Sequence, residues 1–372
     1  MIYMDYSATT FVKDEVLLEM KSFYKNNFAN PSSMHTAGQR AKNALDNARE
    51  RCAAALGAKE QSEIIFTSGG TEANNLAIYG ACNAYKEKGK HIITSCIEHH
   101  SVLNTFLNLE KQGFEISLID VDNNGLINLE QLFNAVREDT IFISVMLANN
   151  EIGTIQPISK IGEICKEKGI IFHTDAVQAM GNMPVNVKDL NVDLLSISGH
   201  KLYAPKGVGL LYVKSGTKIE PIFNGGSQER GKRPGTENIP CIIGLAKAME
   251  IAQNELDNNI TRLTALRNRL IDGVLHSIDI AYLNGSLENR LCNNANFSFK
   301  GIDGNDVVLN LDLKGICASG GAACASGAME KSHVLKALGN NDGGVRFSLG
   351  AENTMEDVEC AIDTVHKIIE AL

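Results

Sequence analysis

The chain has 372 residues, is 44% hydrophobic, and holds 33 glycines against only 7 prolines. That length can bury a large core and suggests one large domain with a smaller one. A net charge of −9 argues against a nucleic-acid surface spread over the molecule, so no direct nucleic-acid partner is expected.

The opening MIYMDYSATTF lacks a basic segment followed by an apolar one, and no apolar run approaches bilayer-spanning length. No membrane partner and a cytoplasmic location are therefore expected. The nine cysteines, at 52, 82, 96, 165, 241, 292, 317, 324 and 360, are odd in number and lack CxxC spacing. They signal neither a disulfide framework nor a zinc site, and no metal is expected. Most read as small core residues.

Between residues 60 and 250, short apolar runs alternate with amphipathic stretches. EIIFTS (63–68) leads through a Gly-Gly pair into the helical TEANNLAIYGACNAYKEKG, and HIITS (91–95) precedes SVLNTFLNLEKQG. FEISLIDVD (114–122), TIFISVML (140–147), GIIFHTDA (169–176), VDLLSIS (192–198) and GVGLLYV (207–213) follow as further strands. This alternation predicts βαβ units and an α/β fold whose mostly parallel sheet is flanked by helices on both faces. Near residue 255 the pattern changes: ITRLTALRNRLIDGVLHSI predicts a long amphipathic helix, and ANFSFKG opens a further αβ region. The expected division is a large domain over 14–254 and a smaller α+β domain made of 1–13 and 255–372.

Open α/β sheets bind ligands outside the carboxyl ends of their strands. Those positions are polar here: TSGGTE after EIIF, CIEHH after HIITS, NNEIG after SVMLA, TDAVQ after IIFH and SGHK after LLSI. Each alone reads as a turn, a helix cap or a satisfied polar residue; together at one sheet edge they point to a ligand. Gly69 and Gly70 permit close backbone approach, and Thr71 opens a helix whose free N–H groups and dipole favour an anion. Neither GxGxxG nor GxxxxGK[ST] is present, so a monophosphate cofactor fits better than a dinucleotide or a nucleoside triphosphate. Asp175 and Lys201 each emerge where a strand ends. A lysine for a Schiff base and an aspartate for a pyridinium nitrogen are the pair that pyridoxal 5'-phosphate requires. Burial can lower a lysine pKa by about 3 to 5 units, which favours the nucleophilic amine.

The series MDYSATT (4–10), NPSSMH (30–35), TSGGTEANN (67–75), EHHSVL (98–103), NNEIGTIQPI (149–158), HTDAVQAMG (173–181), SGHKLYAPKGVG (198–209), GGSQERGKRPGTEN (225–238) and RFSLG (346–350) resembles, in order and over nearly the whole chain, the motifs of cysteine desulfurases of the NifS/IscS type. These are class V aminotransferase relatives of pyridoxal-phosphate fold type I, so the resemblance implies a seven-stranded type of large-domain sheet. It also implies that Lys201 carries the cofactor, Asp175 pairs with the pyridine nitrogen, Gln178 touches the ring hydroxyl and His99 stacks on the ring. Gly70, Thr71, Ser198 and His200 would hold the phosphate. Thr236 would reach the phosphate of the neighbouring subunit, which implies a homodimer with shared sites. Asn150 would lie against cofactor and substrate, and Asn30 and Arg346 at the substrate, with Arg346 gripping the carboxylate through its planar fork.

A desulfurase also needs a nucleophilic cysteine. In GICASGGAACASGAMEKS (315–332) glycines and small residues surround Cys324 and predict an exposed loop; Cys317, after the apolar KGI, could end a strand. SGGAAC stands where the family more usually has SGSAC, one residue shorter. The resemblance implies conversion of L-cysteine to L-alanine, with Lys201 removing the Cα proton, His99 carrying a proton near the leaving group and Cys324 taking the sulfur as a persulfide. A sulfur-acceptor protein, an iron-sulfur scaffold or a thiolation enzyme, would follow. A selenocysteine lyase would share nearly every motif, and an aminotransferase of the same fold would have no use for Cys324. A non-catalytic scaffold would require a defective site, yet Lys201, Asp175 and Cys324 are all present.

Overall fold

The computed structural model describes residues 1–320 and 332–372. Seven strands form the principal sheet: β1 (Ile64–Thr67), β2 (His91–Ser95), β3 (Glu115–Ile119), β4 (Thr140–Ser144), β5 (Ile171–Asp175), β6 (Leu194–Ser198) and β7 (Gly209–Val213). Their spatial order is β1-β7-β6-β5-β4-β2-β3. β7 runs antiparallel to β1 and β6, and the other pairs are parallel. Each expected strand is present. The longer runs stop early, FEISLIDVD at Ile119 and TIFISVML at Ser144; Val121 of the first bridges Ile127, and Met146 of the second lines the cavity at the sheet's carboxyl edge.

Alternate residues feed two opposite cores, as the pleat dictates. Ile64, Phe66, Ile93, Ile143, Leu195 and Ile197 point to one side. There they meet helices that include α1 (Asp14–Lys25), α2 (Thr36–Ala55) and α5 (Ile239–Asn254). Ile65, Ile92, Phe142, Leu194 and Leu211 point to the other side, against α3 (Gly70–Tyr85) and α4 (His100–Glu110). Burial on both faces explains why the strands read as nearly continuous apolar runs. Only edge strand β3 keeps exposed positions at Glu115 and Leu118.

α5 ends at Asn254 and a helix over Leu256–Ser277 begins after Glu255. Beyond it lies an antiparallel sheet of β8 (Ala281–Leu283), β9 (Asn294–Phe299) and β10 (Val345–Ser348), with β9 in the centre. Its own core gathers Leu266, Leu270, Phe297, Phe299, Phe347 and Val365, and includes Met4 from the amino terminus. Ile2–Tyr3 pairs in parallel with Ile316–Cys317, so the first residues of the chain are fastened to its last third.

Candidate active site

A cavity of about 180 Å³ opens at the carboxyl ends of the parallel strands. Lys201 reaches it from the short turn Gly199–Lys201 that follows β6. Its Nζ donates to the carbonyls of Ser7 and Ala8 at 2.5 and 2.6 Å. Asp175, the last residue of β5, is 5% exposed. Its Oδ1 accepts the Val177 N–H at 2.9 Å and its Oδ2 accepts from Asn74 Nδ2 at 2.7 Å. Gln178 Nε2 donates to the Ser7 carbonyl at 3.0 Å, so the amino-terminal segment fixes both Gln178 and Lys201.

α3 enters the cavity with its amino terminus. Gly69 precedes it at φ 156°, a backbone conformation that side chains disfavour. A Cβ on Gly70 would fall 2.9 Å from Val177 Cγ2 and 3.3 Å from the Ser198 Cβ, so glycine is what lets the helix start press against the ends of β5 and β6. Thr71, Ser198 and His200 lie beside it on the cavity wall. Burial, helped by Lys201 and Lys206, lowers the His200 pKa to about 4, so its ring is neutral near pH 7.

His99 caps α4: its Nδ1 accepts the Ser101 backbone N–H at 3.1 Å. Burial lowers its pKa; Asp175 opposes that shift, and His100, Lys201 and His333 add to it. On the far wall, Arg346 projects from β10, 2% exposed. It bonds Asp5 Oδ1 at 2.7 Å and the Asn150 carbonyl at 3.0 Å.

The cavity thus gathers Gly70, Thr71, His99, Asn150, Asp175, Gln178, Ser198, His200, Lys201 and Arg346. Two expected residues are elsewhere on this chain. Asn30 is exposed, its Oδ1 accepting the Ser32 N–H at 2.9 Å. Thr236 is exposed and borders a separate pocket with Phe66, Glu229 and Arg233. Cys324 lies outside the described residues. No cluster of three metal-ligating side chains and no helix long and apolar enough to cross a membrane occurs among the described residues.

Sequence reasoning missed Asn74, Ser101, His100, Glu151 and His333, all on the cavity wall. His333 Nε2 donates to the Glu98 carbonyl at 2.9 Å, and its ring lies 4.8 Å from that of His100. Glu151 Oε2 accepts from Ser332 Oγ at 2.6 Å, and burial raises its pKa. The missed signal was a polar residue on an otherwise apolar helical stripe. Asn74 sits among the buried Ala73, Leu76, Ala77 and Ala81.

The family model described as "Aminotransferase class-V" matches residues 2–360. The protein named cysteine desulfurase IscS from Clostridium botulinum (strain Hall) is 52% identical over 375 residues, covering 99% of this chain and 94% of that protein. A solved structure titled "NIFS-LIKE PROTEIN" superposes with a TM-score of 0.93 at 39% identity, with full coverage of both chains. One titled "SspA in complex with cysteine" superposes with a TM-score of 0.82 at 38% identity, covering 94% of this chain and 99% of that one. With the mostly parallel seven-stranded sheet and the polar cavity at its carboxyl edge, these matches place the chain in the class-V aminotransferase family, among the cysteine desulfurases.

Proposed function

We propose that this protein converts L-cysteine to L-alanine with pyridoxal 5'-phosphate and passes the sulfur, through a persulfide on Cys324, to an acceptor. The observation that carries this reading is the placement of the Lys201 amine and the Asp175 carboxylate at the ends of adjacent strands β6 and β5, in one cavity with Arg346.

The residues present fit that cofactor. The amino terminus of a 16-residue helix, opened by Gly69 and Gly70, and the Thr71 and Ser198 hydroxyls make an anion cradle. Asp175 would face the ring nitrogen, Gln178 the ring hydroxyl, His99 the ring face, and Lys201 would hold the aldehyde carbon. When bound, the cofactor would supply an electron sink for the charge left at the substrate Cα.

This chain's own groups do the rest. The Arg346 fork, oriented by Asp5 and the Asn150 carbonyl, binds the substrate carboxylate. The Lys201 amine takes the proton from Cα. The Cys324 thiolate attacks the substrate sulfur, the substrate C–S bond breaks, and the electron pair returns to the carbon skeleton, which is protonated to alanine. The sulfur remains on Cys324 as a persulfide, one thiol having been exchanged for one alanine.

The fold-family resemblance supports a homodimer in which Thr236 completes the partner's phosphate cradle, with Asn30 near substrate. It also supports a cytoplasmic location and a sulfur-acceptor protein such as an iron-sulfur scaffold or a thiolation enzyme. The separate hydrophobic core around β8–β10, which includes Met4, supports division of the chain into 14–254 and 1–13 with 255–372. Incubation with L-cysteine and a reductant should release sulfide and alanine in equal amounts. A keto acid in place of alanine would mark an aminotransferase, and turnover confined to selenocysteine a lyase.

A further inference from the structure

We propose that Asn74 and Ser101 are positioning residues that hold His99 as its neutral Nε2–H tautomer, so that the ring meets the cavity as a fixed hydrogen-bond donor. A backbone N–H can only donate. The Ser101 backbone N–H points at His99 Nδ1, 3.1 Å away, so that nitrogen carries a lone pair and the ring proton sits on Nε2. The Ser101 hydroxyl, 2.8 Å from the same nitrogen, must then donate to it as well.

That assignment propagates. Ser101 Oγ is left to accept from Asn74 Nδ2 at 2.8 Å, and the other proton of this amide goes to Asp175 Oδ2 at 2.7 Å. The opposite amide orientation would aim the Asn74 oxygen at a carboxylate, so Asp175 and the Ser101 backbone fix the polarity of the chain from its two ends. Asn74 is 1% and Ser101 9% exposed, which keeps water from replacing either bond.

A second proton on His99 could bind only at Nδ1. It would displace two donors and put positive charge at the amino terminus of α4, where the helix dipole opposes it. The charged and titratable neighbours divide: Asp175 favours the cation, and His100, Lys201 and His333 disfavour it. The cavity therefore meets Nε2 as an N–H donor, with no lone pair on that nitrogen to accept a proton. The catalytic consequence rests on the function proposed above; the tautomer does not.

The test is nitrogen-15 spectroscopy of the histidine rings in the holoprotein, across about pH 6 to 9. The parent should show a lone-pair Nδ1 and a protonated Nε2 for His99 at every pH. Ser101→Ala should move the Nδ1 resonance toward that of an unbonded lone pair. Ser101→Thr should restore it. A protonated Nδ1 in the parent, or an Nδ1 resonance unmoved by Ser101→Ala, overturns the proposal. Absence of sulfide release would overturn the proposed reaction and leave the ring assignment standing.

Discussion

Arg346 on β10 and Asp5 in the amino-terminal segment form an ion pair of 2.7 Å, with the arginine side chain 2% and the aspartate 18% exposed. The same guanidinium donates to the Asn150 carbonyl. It therefore binds together three segments far apart in sequence at the wall where we place the substrate carboxylate. A planar fork can meet several acceptors in fixed directions, and an ammonium cannot.

Arg346→Lys should therefore raise the KM for L-cysteine about 10- to 100-fold, as expected for losing a charged hydrogen bond worth roughly 1.5–3 kcal/mol. The kcat should change less, because Lys201 and Cys324 are untouched. Asp5→Asn should lower stability by about 2 kcal/mol, less than for a fully enclosed pair because Asp5 is partly solvated. Steady-state kinetics and urea unfolding read the two effects; an unchanged KM in Arg346→Lys would remove Arg346 from the substrate site.

Glu98 offers a test by pH. Its Oε1 accepts from Ser95 Oγ at 2.6 Å and the Met146 N–H at 2.9 Å. Burial pushes its pKa from 4.5 up to about 8. The folded chain thus retains a proton that the unfolded chain releases above about pH 4.5. The associated stability is complete below that pH and is lost as pH rises toward 8. Glu98→Gln, a neutral isostere, should lose less stability than the parent between pH 5 and 8. Denaturation midpoints at both values decide it, and parallel losses in parent and variant would count against a protonated Glu98.

The large sheet was legible because buried parallel strands are apolar on both faces, so HIITS and VDLLSIS mark their strands within a residue or two. Asp175 and Lys201 were legible because polar residues abruptly follow those runs. What was hidden depends on tertiary packing. No pattern in MDYSATT announces that the Ser7 and Ala8 carbonyls hold Lys201 Nζ, since backbone acceptors carry no sequence signature. Asn74 reads as an ordinary helical residue until α3 is set against the sheet and its amide turns toward Asp175. Asn30 and Thr236 took their assignments from family resemblance alone, and their places on this chain are outside the cavity.

If Lys201 carries the cofactor, the purified protein should be yellow, and borohydride should abolish the colour while fixing the cofactor to this lysine. Peptide mapping identifies the labelled residue. Lys201→Ala should keep weak cofactor binding through the anion cradle at α3, yet its turnover should vanish, because among the described residues no other lysine shares the cavity wall with Asp175. A label on a different lysine would move the site.

The assignment of the sulfur to Cys324 comes from its glycine-rich segment and the family resemblance, and the surroundings of the other eight cysteines support it. A thiolate is the nucleophile, and a free thiol of pKa near 8.5 is only a few per cent ionised at neutral pH, so reactivity needs exposure. Burial pushes the Cys52 thiol up to about 12 and that of Cys292 to about 11, and it raises Cys82, Cys96 and Cys165 as well. Cys241 is buried. Cys317 is half-buried and paired through its backbone with Tyr3, while Cys360 is exposed on the carboxyl-terminal helix Met355–Ala371. Neither lines the cavity. Cys324→Ser should therefore keep the cofactor spectrum and still respond to L-cysteine, but release no sulfide, while Cys317→Ser and Cys360→Ser stay substantially active. After a cysteine pulse without reductant, mass analysis should find one added sulfur on the peptide containing Cys324. Desulfuration by Cys324→Ser at the parent rate would refute the persulfide route and favour a lyase that needs no protein thiol.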